Sequence, residues 1–197
     1  MSDYKPSILA FAGSTRTNSL NKKLARAAAA GAEAAGASAT FIDLRDYPLP
    51  LFDEDLEREE GLPENAVKLR ELFLQHDGLI IASPEYNGSI SAVLKNTIDW
   101  LSRRQGDEAP QICFKEKVAL LLAASPSGLG GLRGLRHLTT LLHGIQVIVL
   151  PEQKAIPAAH TLFDDSGIAD EKLKGDVERL SARLVEMTTR IHGKQTR

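Results

Sequence analysis

The sequence has one cysteine, one tryptophan and two methionines, and no apolar run long enough to cross a bilayer. Cys113 alone cannot close an intrachain disulfide, which excludes a disulfide-stapled scaffold. With no histidine near it in the chain, it reads as an incidental buried thiol rather than a nucleophile. Runs such as VALLLAA, residues 118–124, fall far below the roughly 20 residues of a spanning helix, so no membrane segment is expected. An excess of one charge is also missing. Lys plus Arg number 24 and Asp plus Glu 26, a formal net charge of -2. That balance argues against a nucleic-acid partner, which needs a basic face, and is less acidic than the docking surface of a dedicated electron carrier. The opening stretch MSDYKPSILAFAG carries Asp3 and no long apolar core, so no secretory leader is expected and the cytoplasm is the default compartment.

Several catalytic signatures are absent as well. No G-x-G-x-x-G follows the first apolar run, and Asp43, standing where a dinucleotide site keeps its ribose-binding acid, reads as a turn residue. There is no G-x-x-x-x-G-K-[ST] of a nucleotide triphosphatase, no acidic pair of a receiver domain and no G-x-S-x-G nucleophile elbow. His76, His137, His143, His160 and His192 show no metal-binding spacing, so no metal site is expected. The acids within DEDLEREE, 53–60, could hold a cation, but consecutive carboxylates are usually solvated.

What is present is an alternation. Short, mostly continuous apolar runs at 7–12, 38–43, 77–83, 117–124 and 145–150 alternate with amphipathic stretches at 20–35, 63–76, 91–103, 131–143 and from about Asp170 onward. In the last stretch Leu173, Val177, Leu180, Leu184, Met187 and Ile191 recur at spacings of four and three. Five βα units in succession predict one α/β domain over 1–197 with a doubly wound, five-stranded parallel sheet. Residues 44–62 and 151–169 are expected to be long irregular connections.

Ligands of such a sheet gather beyond the carboxyl ends of its strands. The loops there read GSTRTNSLN (13–21), SPEYNGS (83–89) and SPSGLGG (125–131). The first offers hydroxyls on Ser14, Thr15, Thr17 and Ser19, a cation on Arg16 and a helix starting near Leu20. Together they suit a terminal phosphate, held by helix N–H groups and a guanidinium. The alternative is that Asn18 or Ser19 only caps the helix. In the second loop Tyr86 offers a stacking face, Gly88 a close backbone approach, and Asn87 an amide to match a ring edge of alternating donors and acceptors, such as a flavin's. Ser125, Ser127, Gly128, Gly130 and Gly131 of the third loop could close on the other end of such a ring.

The segments AGSTRTNSLNKKLA, ASPEYNGSISAVLKNTIDWLS and SPSGLGGLRGLRHL, with DLRDYPLPLFDEDLE between the first two, resemble the signatures of the NADPH-dependent FMN reductases. The likeness runs from about Ile8 to Glu152. It implies a flavodoxin-like sheet of order 2-1-3-4-5 and bound FMN, with the phosphate on Ser14, Arg16, Ser19, Leu20 and Asn21. Pro84, Glu85, Tyr86, Asn87 and Gly88 would lie beside the isoalloxazine, and Ser125 and Gly128 at its pyrimidine end. The implied activity is electron transfer from NADPH or NADH to a small acceptor (a quinone, free flavin, chromate or an azo compound), with no obligatory side-chain acid. The implied assembly is a homodimer or homotetramer. Trp100, displaced from the stripe of Leu94, Ile98 and Leu101, faces either a partner subunit or the monomer's own interior. A flavodoxin-type carrier that does not react with NAD(P)H is the other reading.

Arg16 lies on a loop and supports no core, so Arg16→Ala should leave the fold intact and weaken FMN retention. Removing one charge-assisted hydrogen bond costs about 1.5–3 kcal/mol, roughly 10- to 150-fold in affinity. Titration of the apoprotein with FMN measures it, and unchanged affinity would remove Arg16 from the site.

Overall fold

The computed structural model describes residues 4–193; the Asp3 of the opening stretch lies outside them. Six parallel strands, β1 (Ser7–Ala12), β2 (Ser38–Ile42), β3 (Gly78–Ala82), β4 (Val118–Ala124), β5 (Ile148–Val149) and β6 (Lys154–Ile156), form one sheet. Its order is β2-β1-β3-β4-β5, with β6 also on β4. Every residue of β1, β3 and β4 except Ser7 is buried. Their continuous apolar runs leave neither face polar, so helices cover both. One face packs Ile8, Ala10, Ile80 and Leu120 against α1 (Leu20–Ala34) and α6 (Glu171–His192) through Leu24, Ala28, Val177 and Leu184. The other packs Leu9, Phe11, Leu79 and Leu121 against α3 (Glu64–Leu74), α4 (Ala92–Leu101) and α5 (Leu132–Gly144) through Phe73, Leu94 and Leu138.

The expected fifth strand, 145–150, is a two-residue strand. It stops before Pro151, which has no N–H to donate, and the edge resumes as β6. β5 pairs with the start of β4, through Val118 and Ala119, and β6 with its end, through Leu122 to Ala124.

The 44–62 connection is more regular than expected. A 3-10 turn at Leu44–Asp46 is followed by α2 (Glu54–Glu60), capped by the Asp53 side chain, which accepts from the N–H groups of Asp55 and Leu56. The acidic run is therefore a short helix, and the dipole favours its first-turn acids Glu54, Asp55 and Glu57. Glu57 is paired with Arg103 at 2.8 Å, and no group of residues suited to a metal ion occurs among the described residues.

Trp100 is fully buried. Residues 48–52 fold back over α4 and cover it: Trp100 Nε1 donates to the Pro50 carbonyl at 2.8 Å, and Phe52 packs edge-on at 5.0 Å between ring centres. Asn96, one turn earlier, accepts from Phe52 N–H at 2.8 Å and donates to the same Pro50 carbonyl at 2.8 Å. The indole thus lies off the helix stripe because it serves this returning segment, not a partner subunit.

The 125–131 loop passes tightly over β6. A Cβ on Gly130, whose φ is +62°, would stand 2.5 Å from the Pro157 nitrogen, whereas one on Gly128 would meet nothing within 4 Å. Gly130→Ala should cost roughly 2–4 kcal/mol and lower the melting temperature by about 5–15 °C. Gly128→Ala should stay within about 0.5 kcal/mol of the parent. Thermal denaturation of the two variants side by side checks this, and equal melting points would refute it.

Candidate functional site

The three loops are drawn together by hydrogen bonds at the carboxyl edge of the sheet. Gly13 N–H donates to Ala82 at 3.0 Å, and the buried Ser91 hydroxyl donates to Gly13 O at 2.6 Å. The buried Asn21 side chain donates to Ala124 O and accepts from Ala124 N–H, both at 2.9 Å. The start of α1 is thereby fastened to the end of β4, 103 residues away. Both polar ends of the Asn21 amide are thus engaged by Ala124, while its main-chain N–H stays at the helix start.

The helices that follow these three loops differ in the availability of their amino termini. α1 is capped by Ser19, whose Oγ accepts from Lys22 N–H; among the described residues the N–H groups of Leu20 and Asn21 have no main-chain acceptor. The Ser19 hydroxyl, while accepting as the cap, keeps its own hydrogen to donate. Ser14 is buried, with Oγ accepting from Arg16 N–H at 3.3 Å, while Arg16 is exposed and pairs with no carboxylate among the described residues. Lys22, also near this loop, is committed: its Nζ lies 2.6 Å from Asp43, which also caps the 3-10 turn. Asp43 is accordingly a structural acid rather than a ribose ligand. α4 carries the same kind of cap in Ser91, whose hydroxyl, unlike that of Ser19, already donates to Gly13 O, while the first turn of α5 is closed by Glu85.

The second loop explains its own composition. Tyr86 and Ser89 exchange both main-chain hydrogen bonds, at 2.9 and 3.0 Å, around Asn87 (φ 52°) and Gly88 (φ 78°). Two consecutive positive φ angles are what a two-residue type I′ turn requires, and Asn-Gly is its preferred pair. The Asn-Gly pair therefore has a conformational role before any role toward a ligand, a signal the sequence carried. The ring of Tyr86 is 50% exposed, and Leu129 and Leu132, flanking the third loop's glycines, are 48% and 41% exposed. In that third loop the Ser125 and Ser127 hydroxyls are 3.0 Å apart, and Ser127 N–H donates to Ser125 Oγ.

Titratable groups shifted by deep burial lie elsewhere. Burial pushes the Cys113 thiol up and the Lys117 ammonium down. Lys117 Nζ donates to the His76 carbonyl, and Asp77 accepts from Ser7 N–H and Oγ at 3.0 and 2.7 Å. These groups sit at the amino ends of β1, β3 and β4, where they fasten strand starts. A cavity of about 680 Å³ lies along the outside of α1 toward α6 and reaches only Thr17 and Ser19 of the first loop. Smaller cavities of about 240 and 350 Å³ flank the start of α4, one reaching Thr15 and the other Ser89. Ser91, Asn96, Arg133 and Gly134 shape the site without having been expected to. Ser91 carried a visible cap signal; the others act on distant segments.

Comparison with known proteins agrees with this geometry. The chain is 31% identical over 193 residues to a probable NADPH:quinone oxidoreductase of Oryza sativa subsp. japonica, covering 95% of this chain and 91% of that protein. It is 32% identical to an NAD(P)H-dependent FMN reductase of Pseudomonas aeruginosa, covering 94% and 97%. Among solved structures, a flavoenzyme NAD(P)H:(acceptor) oxidoreductase of Paracoccus denitrificans superposes with a TM-score of 0.79 at 25% identity, over 94% of this chain and 98% of that one. With residues 6–161 matching the model of that family, the chain belongs to the NADPH-dependent FMN reductases.

Proposed function

We propose that the protein is an FMN-dependent NAD(P)H oxidoreductase that passes electrons to quinones and other small oxidants. The observation that carries the reading is the open start of α1: a cap hydroxyl with two N–H groups and the Arg16 guanidinium, unpartnered among the described residues, on a loop fastened beside the ends of β3 and β4. A phosphate monoester fits that chemistry, because the charge meets donors that need no rearrangement. Ser14, Arg16, Ser19, Leu20 and Asn21 would hold it. Pro84, Glu85, Tyr86, Asn87 and Gly88 would border the ring on one side, Ser125 and Gly128 on the other, with the half-exposed Tyr86 beside a flat ligand.

Held by these residues, FMN would supply the redox chemistry between the nicotinamide and the acceptor. The chain's own task is to bind and orient, which accords with the placement of Cys113 and Lys117, both shifted by burial, away from the site edge. Quinone is the favoured acceptor class because relatives alignable over nearly the whole chain are named for it. The carrier reading is disfavoured by the near-neutral charge and by those enzyme relatives. A homodimer or homotetramer in the cytoplasm is part of the proposal; no helix among the described residues is long and apolar enough to cross a membrane.

One shared ligand face predicts ping-pong kinetics. Initial rates against NADPH at several quinone concentrations should give parallel lines, with excess quinone competing against NADPH. Intersecting lines, or a flavin that stays oxidised when mixed with NADPH and NADH in stopped flow, would overturn the proposal.

A further inference from the structure

The helix that follows the third loop has no cap of its own. Gly131, at φ +94°, occupies the N-cap position of α5 and has no side chain to offer its first turn. The cap comes from the second loop instead. Glu85 Oε2 accepts from the N–H groups of Arg133 and Gly134, both at 3.0 Å. Its Oε1 accepts from the Arg133 guanidinium, with Nε at 2.8 Å and a terminal nitrogen at 2.6 Å. The Glu85 side chain is only 8% exposed. Burial by itself would raise its pKa, but the N–H of Gly134 and the N–H and guanidinium of Arg133 outweigh it and hold the carboxyl below its ordinary range.

The surroundings are shaped to admit this carboxylate. A Cβ on Gly134 would stand 3.3 Å from Glu85 Cβ, so a larger residue there would press on the clamp. The Arg133 guanidinium carbon lies 3.8 Å from where a Cβ on Gly88 would be, so the group that grips Glu85 also lies against the Tyr86–Ser89 turn. A side-chain cap at position 131 itself is ruled out, because a Cβ there would stand 2.6 Å from Ala123 Cβ. Glu85 achieves something a local cap cannot: it ties loop 83–89 to the helix that begins where loop 125–131 ends.

We propose that Glu85 is a positioning residue that sets the gap between these two loops, so that they receive the isoalloxazine as one preformed slot without the Glu85 carboxylate touching it. This rests on the reading above that the two loops border the ring. A residue acting on the ring slot must affect flavins with and without the phosphate alike, whereas Arg16 acts on the phosphate alone.

The test measures FMN and riboflavin binding by fluorescence titration of the whole chain, with visible circular dichroism of the bound flavin and melting temperature alongside. Glu85→Ala should weaken both ligands by the same factor, roughly 10- to 100-fold, and alter the flavin dichroism. Glu85→Gln, which keeps one acceptor oxygen, should recover part of the loss. Should the alanine variant fail to fold, Gly134→Ala, which displaces the carboxylate without deleting it, should weaken both ligands equally and less severely. Unchanged affinities and dichroism with only a lower melting temperature would reduce Glu85 to a helix cap and overturn the proposal. So would a loss confined to FMN. A parent protein that binds neither flavin would overturn the ring-site reading itself, a result distinct from a parent that binds and a variant that does not differ.

Discussion

Because β1, β3 and β4 are covered on both faces, their main-chain groups can be satisfied only by neighbouring strands, and parallel pairing fixes all three in one register. Their carboxyl ends then emerge side by side, at Ala12, Ala82 and Ala124, and every loop that follows starts from the same edge. The strand ends are small, and the bonds that cross between them are short and buried: Gly13 to Ala82, Ser91 to Gly13, Asn21 to Ala124. A change in the sheet's register would dissolve the site before any loop residue was altered. That is why residues distant in sequence act here as one unit.

Charge is divided between the two edges of the sheet with different purposes. At the amino edge, Lys117, Asp77 and Arg70 are each buried or half-buried and bonded to chain carbonyls, hydroxyls or a carboxylate, which anchors strand starts and the segment containing Glu108. At the carboxyl edge, Lys22 is neutralised by Asp43 and Arg133 by Glu85, leaving Arg16 without a carboxylate partner in its loop. A helix start with no internal counter-charge is the natural resting place for an anion. The first turn of α5, by contrast, is closed by Glu85, and the Ser91 hydroxyl at the start of α4 is already donated to Gly13 O.

Much of this was legible in the chain itself. The continuous runs ILAFA, GLIIA and VALLLAA announced strands buried on both faces, and their alternation with amphipathic stretches gave the doubly wound sheet. Serine before LNKKLA and before AVLKN marked the starts of α1 and α4, where the structure has Ser19 and Ser91. The Asn-Gly pair announced a tight turn, although its chemistry drew attention first to ring recognition. The broken edge strand was harder to read, because periodicity cannot tell that Pro151 ends one pairing and that β6 resumes it further along β4.

The sequence by itself determined which segments are strands and helices and where the hydroxyl-rich turns fall, because apolar period and cap residues are local properties of the chain. Only the tertiary structure decided what the long-range side chains are for. Trp100 is buried because residues 48–52 return over α4, Asn21 is bonded to Ala124, and Glu85 caps a helix that begins 47 residues later. Each of these depends on a partner brought near by strand order and not by spacing. A side chain's hydrogen-bond capacity is written in its type, but the acceptor or donor that uses it is fixed only when the sheet closes.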